Sequence, residues 1–316
     1  MDGLLGPKDD LLSIACAHAR DVDALCQDVA STILPSATHT PSEATISAVS
    51  VKLLQIVRDI EARLQGAAQE SITGPLLARS GFLRETDIVD FALARVAEDN
   101  LTARLGGGFS QLAVDLLDHT DKCVKEAAQA LLAADSLQLR SQGRSFLTLP
   151  PELLYKVCWR IVAAFEVLSG NRSDQIINSA RALIASYDEA RTAPASARKI
   201  VHFLGAEDRA SLSNPHHAGI HLFVAHLSAD LNIGHDHILR LIDFESAFPM
   251  MVMLAAAGVP KGAALKTMID LRAQILSPRE AALFEAEYLH FIPEMAREQL
   301  SNWSAARALS LSFGKI

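Results

Sequence analysis

Apolar residues recur along most of the chain at the three- and four-residue spacing of an amphipathic helix. The longest regular stripe lies in residues 41–64 and consists of Ile46, Val49, Leu53, Ile56, Val57, Ile60 and Leu64. No long segment alternates apolar and polar residues with β-branched enrichment, which is the pattern that strands require. The sequence therefore predicts an all-α protein with no sheet.

Capping signals mark several helix boundaries. Thr40-Pro41-Ser42-Glu43 places a hydroxyl at the N-cap, proline at the first helical position and glutamate at the third, and Ser277-Pro278-Arg279-Glu280 repeats this arrangement. Glycines that follow periodic segments predict helix ends, and they are Gly66, Gly170, Gly234 and Gly258.

These boundaries divide the chain into a series of short helices joined by short connections, so consecutive helices are expected to pack antiparallel. We interpret the series as an irregular, HEAT-like stack of helical hairpins, either an α-solenoid or a multi-helix bundle. The predicted helices cover about 10–34, 41–64, 71–79, 86–98, 109–118, 121–134, 151–169, 172–190, 195–204, 215–232, 236–243, 247–257, 261–276, 278–289 and 293–310.

A polar break at residues 141–145 is the best predicted domain boundary. It separates an N-terminal helical region, 1–145, from a C-terminal helical domain with HEAT-like packing, 146–316. A second break at Thr192-Ala193-Pro194-Ala195-Ser196 is an alternative boundary.

Residues 222–272 carry a resemblance to a known family. Their order is a helix with Leu222-Phe223, a helix of the Ile-Leu-Arg-Leu-Ile type, a short apolar helix ending Ala-Ala-Gly-Val-Pro, and a further amphipathic helix. This segment resembles the uncharacterised, mainly alphaproteobacterial family catalogued as domain of unknown function 2336. The resemblance implies a helical, HEAT-like bacterial protein and supplies no catalytic residues.

Composition narrows the possible functions. The net charge is −8, and acidic and basic residues are interspersed, so no basic face for nucleic acid is apparent. The start of the chain lacks the pattern of a signal peptide, and the most apolar run, Phe248–Val259, is too short to span a bilayer. Cys16, Cys26, Cys123 and Cys158 have no metal-binding spacing and are predicted to be buried free thiols. A cytoplasmic protein is expected.

Six of the eleven histidines fall within residues 213–241. Asn214 and Pro215 start a predicted helix on which His216 lies within the apolar stripe. His217 and His221 lie about 40° apart on the helical wheel and could form a two-ligand pair, whereas His226 points to another face.

A metal site needs three or four converging ligands, and this helix alone cannot supply them. His235 and His237 flank Asp236 in the next helix, where they could approach His226 but hardly the earlier pair. The metal candidates are His217, His221, His226, His235 and His237, but the pattern favours no bound metal. We instead expect the histidine-rich turn to contact a partner protein through His216, His217, His221, His235 and His237.

Other motifs carry little chemistry. His119 and Lys122 form an H-x-x-K motif typical of phosphotransfer proteins, although Thr120 and Asp121 fit the cap of a new helix better. Gly106-Gly107-Gly108 lacks the remaining residues of a phosphate-binding loop and is interpreted as a turn. Neither a nucleophile motif nor a paired acid and base is apparent.

The sequence thus favours a non-enzymatic cytoplasmic scaffold or adaptor that binds unknown protein partners without a cofactor, with homo-oligomerisation left open. Two alternatives remain. One is a phosphotransfer signalling component that uses His119, and the other is a metal-binding protein or enzyme built on the histidines of 216–237.

Overall fold

The computed structural model describes residues 42–66, 71–139, 145–170, 173–205 and 208–313. These residues form α-helices and short 3-10 segments and contain no strand, which confirms the all-α prediction. None of the helices in this part of the chain combines the length and the apolar character that crossing a membrane requires. The predicted helix 10–34 and the cysteines Cys16 and Cys26 lie outside the described residues.

The observed helices follow the predicted order closely. They are α1 Glu43–Gln65, α2 Gly74–Arg79, α3 Thr86–Arg104, α4 Gln111–Asp115, α5 Lys122–Leu139, α6 Pro151–Ser169, α7 Asp174–Ser186, α8 Ala193–Phe203, α9 Pro215–Leu231, α10 His235–Asp243, α11 Phe248–Ala256, α12 Lys261–Arg272, α13 Pro278–Glu287 and α14 Pro293–Phe313.

Most capping predictions hold. Both hydrogen bonds of the capping box between Ser277 and Glu280 are present at the start of α13. Gly66 and Gly170 adopt the left-handed conformation directly after α1 and α6, as helix-ending glycines do. At α1, however, the N-cap is Ser42 and not the predicted Thr40, and Ser42 accepts a hydrogen bond from the backbone N–H of Thr45 at 3.2 Å.

Two further local predictions are wrong. The helix α9 ends at Asn232, which takes the left-handed conformation itself, and Gly234 instead serves as the N-cap of α10. Asparagine tolerates that conformation because its short polar side chain adds little steric conflict. The prediction that all the cysteines are buried also fails, because Cys123 is exposed at the start of α5 whereas Cys158 is buried in α6.

The described residues form two compact units, each built from two separate stretches of chain. The first unit contains 42–93 and 145–189, and the second contains 94–139 and 190–313. This grouping differs from the predicted sequential division into 1–145 and 146–316. A polar stretch marks a connection between helices, but the sequence does not show which helices that connection brings together.

In the first unit, α1 packs against α6 and α7. Its predicted apolar stripe supplies the contacts, since Val49, Leu53, Ile56 and Ile60 are buried. The facing surface of α6 contributes apolar side chains at helical spacing, so the two stripes exclude water from one another.

Glu61 is a fully buried carboxylate on α1. It accepts hydrogen bonds from the backbone N–H groups of Ile72 at 3.2 Å and Thr73 at 2.5 Å, and from the Thr73 hydroxyl. These donors lie directly before α2, where N–H groups lack partners within the helix. Glu61 therefore fixes the start of α2 against α1.

We expect Glu61→Gln to lower the free energy of unfolding by about 1–2 kcal/mol, because charge-assisted hydrogen bonds become neutral ones. Urea denaturation followed by circular dichroism measures the change. Glu166→Gln is the control, since Glu166 lies in the last turn of α6, where a negative charge is unfavourable and its removal costs nothing. Equal stabilities of the two variants would contradict the structural role of Glu61.

In the second unit, α9 occupies the centre and contacts α4, α8, α10 and α12. Its residues are apolar on nearly every side, as expected for a helix surrounded by others. Ala218, Leu222, Val224 and Ala225 are all at most 1% exposed, and the small alanine side chains allow close approach of neighbouring helices. Separate contacts join α5 to α8 and α11 to α14.

Candidate functional sites: a buried histidine–glutamate cluster and an apolar groove

Three buried side chains of the second unit converge from three helices: Glu98 from α3, His221 from α9 and His235 from α10. Each offers one ligating atom, and these atoms all lie within 4.8 Å of one another. The rings of His221 and His235 stack with centroids 6.4 Å apart. The prediction that His235 could hardly approach His221 is therefore wrong.

The backbone at both ends of α9 explains this convergence. Gly219 interrupts the helix with φ 70° and ψ 166°, so the helical wheel that paired His217 with His221 does not apply across it. At the other end, the N–H of Ile233 donates to Ser228 O at 3.2 Å, and the Ser228 hydroxyl donates to Ile233 O at 2.5 Å. The chain thus doubles back over the last turn of α9, which carries His235 toward His221.

An arginine holds the glutamate of the cluster. Arg95, one turn before Glu98 on α3, donates from Nη1 to Glu98 Oε2 and from Nη2 to Asp236 Oδ1. Burial alone would lower the pKa of Arg95, but the carboxylates of Glu98 and Asp236 outweigh it and raise that pKa. Arg95 therefore stays charged, and it holds Oε2 of Glu98 by a charge-assisted hydrogen bond.

The other oxygen of Glu98 faces His221. Its Oε1 lies 3.7 Å from His221 Nε2, and Asp135 Oδ1, from α5, lies 3.4 Å from the same nitrogen. Burial raises the pKa of Asp135. One imidazole nitrogen thus faces two carboxyl groups from different helices.

His235 is the least satisfied polar side chain of the cluster. It is 8% exposed, and neither of its ring nitrogens has a hydrogen-bond partner among the described residues. Burial, together with the charge of Arg95, lowers the pKa of His235 to about 3, so the imidazole is neutral at physiological pH. A buried donor or acceptor without a partner costs about 1–3 kcal/mol. His235 therefore offers two buried ring nitrogens that a bound species could satisfy.

A cavity of about 320 Å³ adjoins the cluster within the same unit. His221 and Asp135 form part of its wall, together with the glycine loop after α3 and the residues around Gly219. Gly107 and Gly108 expose backbone there, and Asp99 adds a carboxylate. The cavity is large enough to give water or a small molecule access to His221.

The remaining histidines lie apart from the cluster. Three of them pair with carboxylates elsewhere: His216 with Asp270 at 3.4 Å, His217 with Asp115 at 3.0 Å and His226 with Asp230 at 3.6 Å. His237 is buried in α10 beyond the three-residue cluster. Of the five metal candidates, the structure therefore brings together His221 and His235 and leaves out His217, His226 and His237.

The histidines predicted to contact a partner protein differ in how far they are buried. His216 is 49% and His217 35% exposed in the side chain, so both can contact another molecule. His221, His235 and His237 are at most 8% exposed, which corrects the expectation that they lie on an interaction surface. The contact prediction stands for His216 and His217 alone.

His119 lies in the connection between α4 and α5 and not in the middle of a helix. Its Nδ1 accepts the backbone N–H of Asp121 at 3.0 Å, and its Nε2 lies 3.7 Å from Asp208. Asp121 caps α5 by accepting the N–H of Cys123 at 2.7 Å, as the turn interpretation predicts. Both ring nitrogens of His119 thus face groups of the same chain.

Sequence reasoning missed the carboxylates of the cluster, although a signal for them exists. Glu98 and Arg95 continue the buried stripe of α3 that includes Phe91 and Leu101. Asp135 likewise follows Val124, Ala128 and Leu131 at the spacing of one face of α5. Charged residues at apolar-stripe positions indicate a buried polar site.

A second candidate site is an apolar groove in the C-terminal part of the second unit. It measures about 380 Å³ and lies among α11, α13, α14 and the turn after α13. We call it the C-terminal groove, and its lining includes Phe248, Met251, Leu283, Phe291, Ile292 and Met295. Leu283, Ile292 and Met295 are 50%, 54% and 64% exposed, which is unusual for large apolar side chains clustered on one surface.

Comparison of the chain with protein-family models, with curated proteins and with solved structures gave no match. The class that the fold and the two sites define is an all-α protein with a buried histidine–glutamate cluster and an exposed apolar groove.

Proposed function

We propose that the protein is a non-enzymatic cytoplasmic adaptor that binds a partner protein through the C-terminal groove. The observation that carries the proposal is the clustering of half-exposed Leu283, Ile292 and Met295 around one concave surface. Contiguous apolar surface of this kind marks protein interaction sites, because exposing it to water is costly. HEAT-like stacking and membership of the domain of unknown function 2336 family belong to the same proposal.

The shape and chemistry of the groove fit an amphipathic helix of the partner. Helix-in-groove recognition places a row of apolar side chains into a hydrophobic channel between helices. Met251 and Met295 suit this role, since methionine side chains adapt to ligands of different shape. Glu287 lines the groove, and the chain has a net charge of −8, so we expect basic residues beside the partner's apolar face.

Site-specific photo-crosslinking tests the proposal. A photoreactive phenylalanine analogue at position 283 should give one dominant cross-linked partner in cells, and its linked peptide should be an amphipathic helix with basic flanks. When Met295→Glu is added to the chain that carries this analogue, the yield of the cross-linked product should fall at least about tenfold, because a charge is forced into an apolar contact. Val167→Glu is the matched control, since Val167 is 70% exposed in the first unit, outside the groove.

Three results would overturn this function. The first is the absence of any cross-link, and the second is an equal loss of cross-linking in Met295→Glu and Val167→Glu. The third is a cross-link only to a second copy of the chain, which would make the groove a homo-oligomer interface.

The phosphotransfer alternative gains no support from the surroundings of His119. A phosphate acceptor nitrogen must reach a donor protein, but Nδ1 accepts a backbone hydrogen bond and Nε2 faces Asp208. The metal-binding alternative has a specific observation in its favour, which is the convergence of Glu98, His221 and His235.

A further inference from the structure

We propose that Glu98, His221 and His235 form a binding site for a divalent transition-metal ion, with zinc as the best fit. The site is independent of the C-terminal groove, since it shares none of the groove's lining residues. It extends the function from partner binding to metal-dependent stabilisation or control of the second unit.

The donor set matches known metal chemistry. Two imidazoles and one carboxylate, with a fourth position left for water, form a common zinc arrangement and also suit iron(II). Zinc tolerates small distortions of geometry because its filled d shell imposes no directional preference. Calcium and magnesium are disfavoured, since they require mostly oxygen ligands.

The distances require only modest rearrangement. Zinc bonds of about 2.0–2.1 Å in a tetrahedron place donor atoms about 3.3 Å apart, and the three donors here already lie within 4.8 Å of one another. Rotations of the imidazoles and of the carboxylate would close this gap. The three ligands come from α3, α9 and α10, so the bound ion would tie three helices together.

The unpartnered imidazole is the strongest sign of a missing ligand. His235 is buried, and its nitrogens lack partners in the described part of the chain. The Nδ1 atom of His221 is likewise buried without a partner there. Ion binding would satisfy a His235 nitrogen that the described residues leave unpaired.

The surroundings supply the supporting contacts that metal ligands need. Arg95 holds one oxygen of Glu98 and leaves the other directed at His221. Its positive charge opposes a bound cation, but Asp236 and Asp135 offset it within the same cluster. Hydrogen bonds of this kind fix the orientation of the residues that ligate a metal and tune their basicity.

The open position of the ion would face the cavity. Asp135 and His221 both line that cavity, so Asp135 is placed either to ligate the ion or to accept a hydrogen bond from metal-bound water.

Metal binding to the full chain, first stripped with a chelator, tests the site. Isothermal titration calorimetry with zinc should show one ion per chain, and cobalt(II) should give the intense visible spectrum of a tetrahedral site. Zinc at about 100 times its dissociation constant should raise the melting temperature by roughly 5–10 °C. X-ray absorption of the zinc-loaded chain should show two imidazole ligands and additional oxygen ligands.

Variants assign the site to the named residues. His235→Gln and Glu98→Gln should each weaken zinc binding at least about 100-fold, since each removes a direct ligand. His226→Gln is the matched control, because His226 lies on the same helix as His221 but pairs with Asp230. Circular dichroism checks that each variant folds.

The proposal is overturned if the chain binds none of zinc, cobalt, nickel or iron(II) stoichiometrically. It is also overturned if His226→Gln weakens binding as much as His235→Gln, or if X-ray absorption shows fewer than two imidazoles. The absorption measurement uses the wild-type chain, so it decides the question even if a cluster variant does not fold. Cross-linking at the C-terminal groove reports on the adaptor function separately.

Discussion

Replacing Arg272 with methionine should lower the free energy of unfolding by about 3–5 kcal/mol. Arg272 ends α12 and is fully buried. It donates from Nη1 to Ile242 O at 2.8 Å and Phe244 O at 2.6 Å, and from Nη2 to Glu245 O at 2.7 Å. These carbonyls lie at or just beyond the end of α10, where intrahelical donors are no longer present.

The expected loss follows from what methionine cannot do. Methionine fills a similar linear space, so the core remains occupied, but the buried Ile242 carbonyl and the partly buried carbonyls of Phe244 and Glu245 lose a charged donor. Each such loss costs about 1–3 kcal/mol when no water replaces it. The positive charge also interacts favourably with the dipole at the end of α10, and methionine removes that contribution.

Urea denaturation of the purified chain measures this effect. Arg279→Met is the control, because Arg279 is exposed in the first turn of α13 and its replacement should cost less than about 0.5 kcal/mol. Arg272→Lys should fall between the two, since one ammonium group lacks the planar fork that reaches separate carbonyls. A loss of under 1 kcal/mol for Arg272→Met would show that α10 does not depend on this side chain.

The contrast between α13 and Arg272 shows which features can be predicted from sequence. The capping box of Ser277 and Glu280 involves residues three apart, so its hydrogen bonds depend on local backbone geometry alone. Arg272 also lies at the end of a helix. A basic residue in the last turn of a helix is usually exposed. Its true partners belong to residues 242–245, and the sequence contains no sign of that pairing.

The sequence favoured no bound metal, and it could identify only some residues of the candidate site for the same reason. The sequence identified the histidine-rich segment, and His221 and His235 both belong to it. The third ligand, Glu98, lies more than a hundred residues earlier on another helix, and its approach depends on packing in the second unit. The helical-wheel prediction for these histidines was also wrong, because a wheel assumes a continuous helix and Gly219 interrupts α9.

Replacing Gly219 with alanine should lower the free energy of unfolding by about 2–4 kcal/mol. With φ 70° and ψ 166°, Gly219 occupies a backbone region that is accessible almost only to glycine. A Cβ atom there would lie 3.0 Å from Ser110 Cβ and 3.3 Å from Ser110 Cα. Backbone strain of about 1–3 kcal/mol and the overpacking against Ser110 add together.

The same substitution should disturb the cluster, because Gly219 sets the direction in which α9 presents His221. If the proposed metal site exists, Gly219→Ala should weaken zinc binding although it alters no ligand. Gly262→Ala is the control, since Gly262 lies in α12 with open space around its Cα, where alanine favours the helix.

Thermal and urea denaturation of both variants measure the stability change, and calorimetry with zinc measures the effect on the cluster. An unchanged stability of Gly219→Ala would show that α9 can continue as a regular helix through this position. In that case His217 and His221 would share one helical face, and the break in α9 would not be what separates the surface histidines from the buried ones.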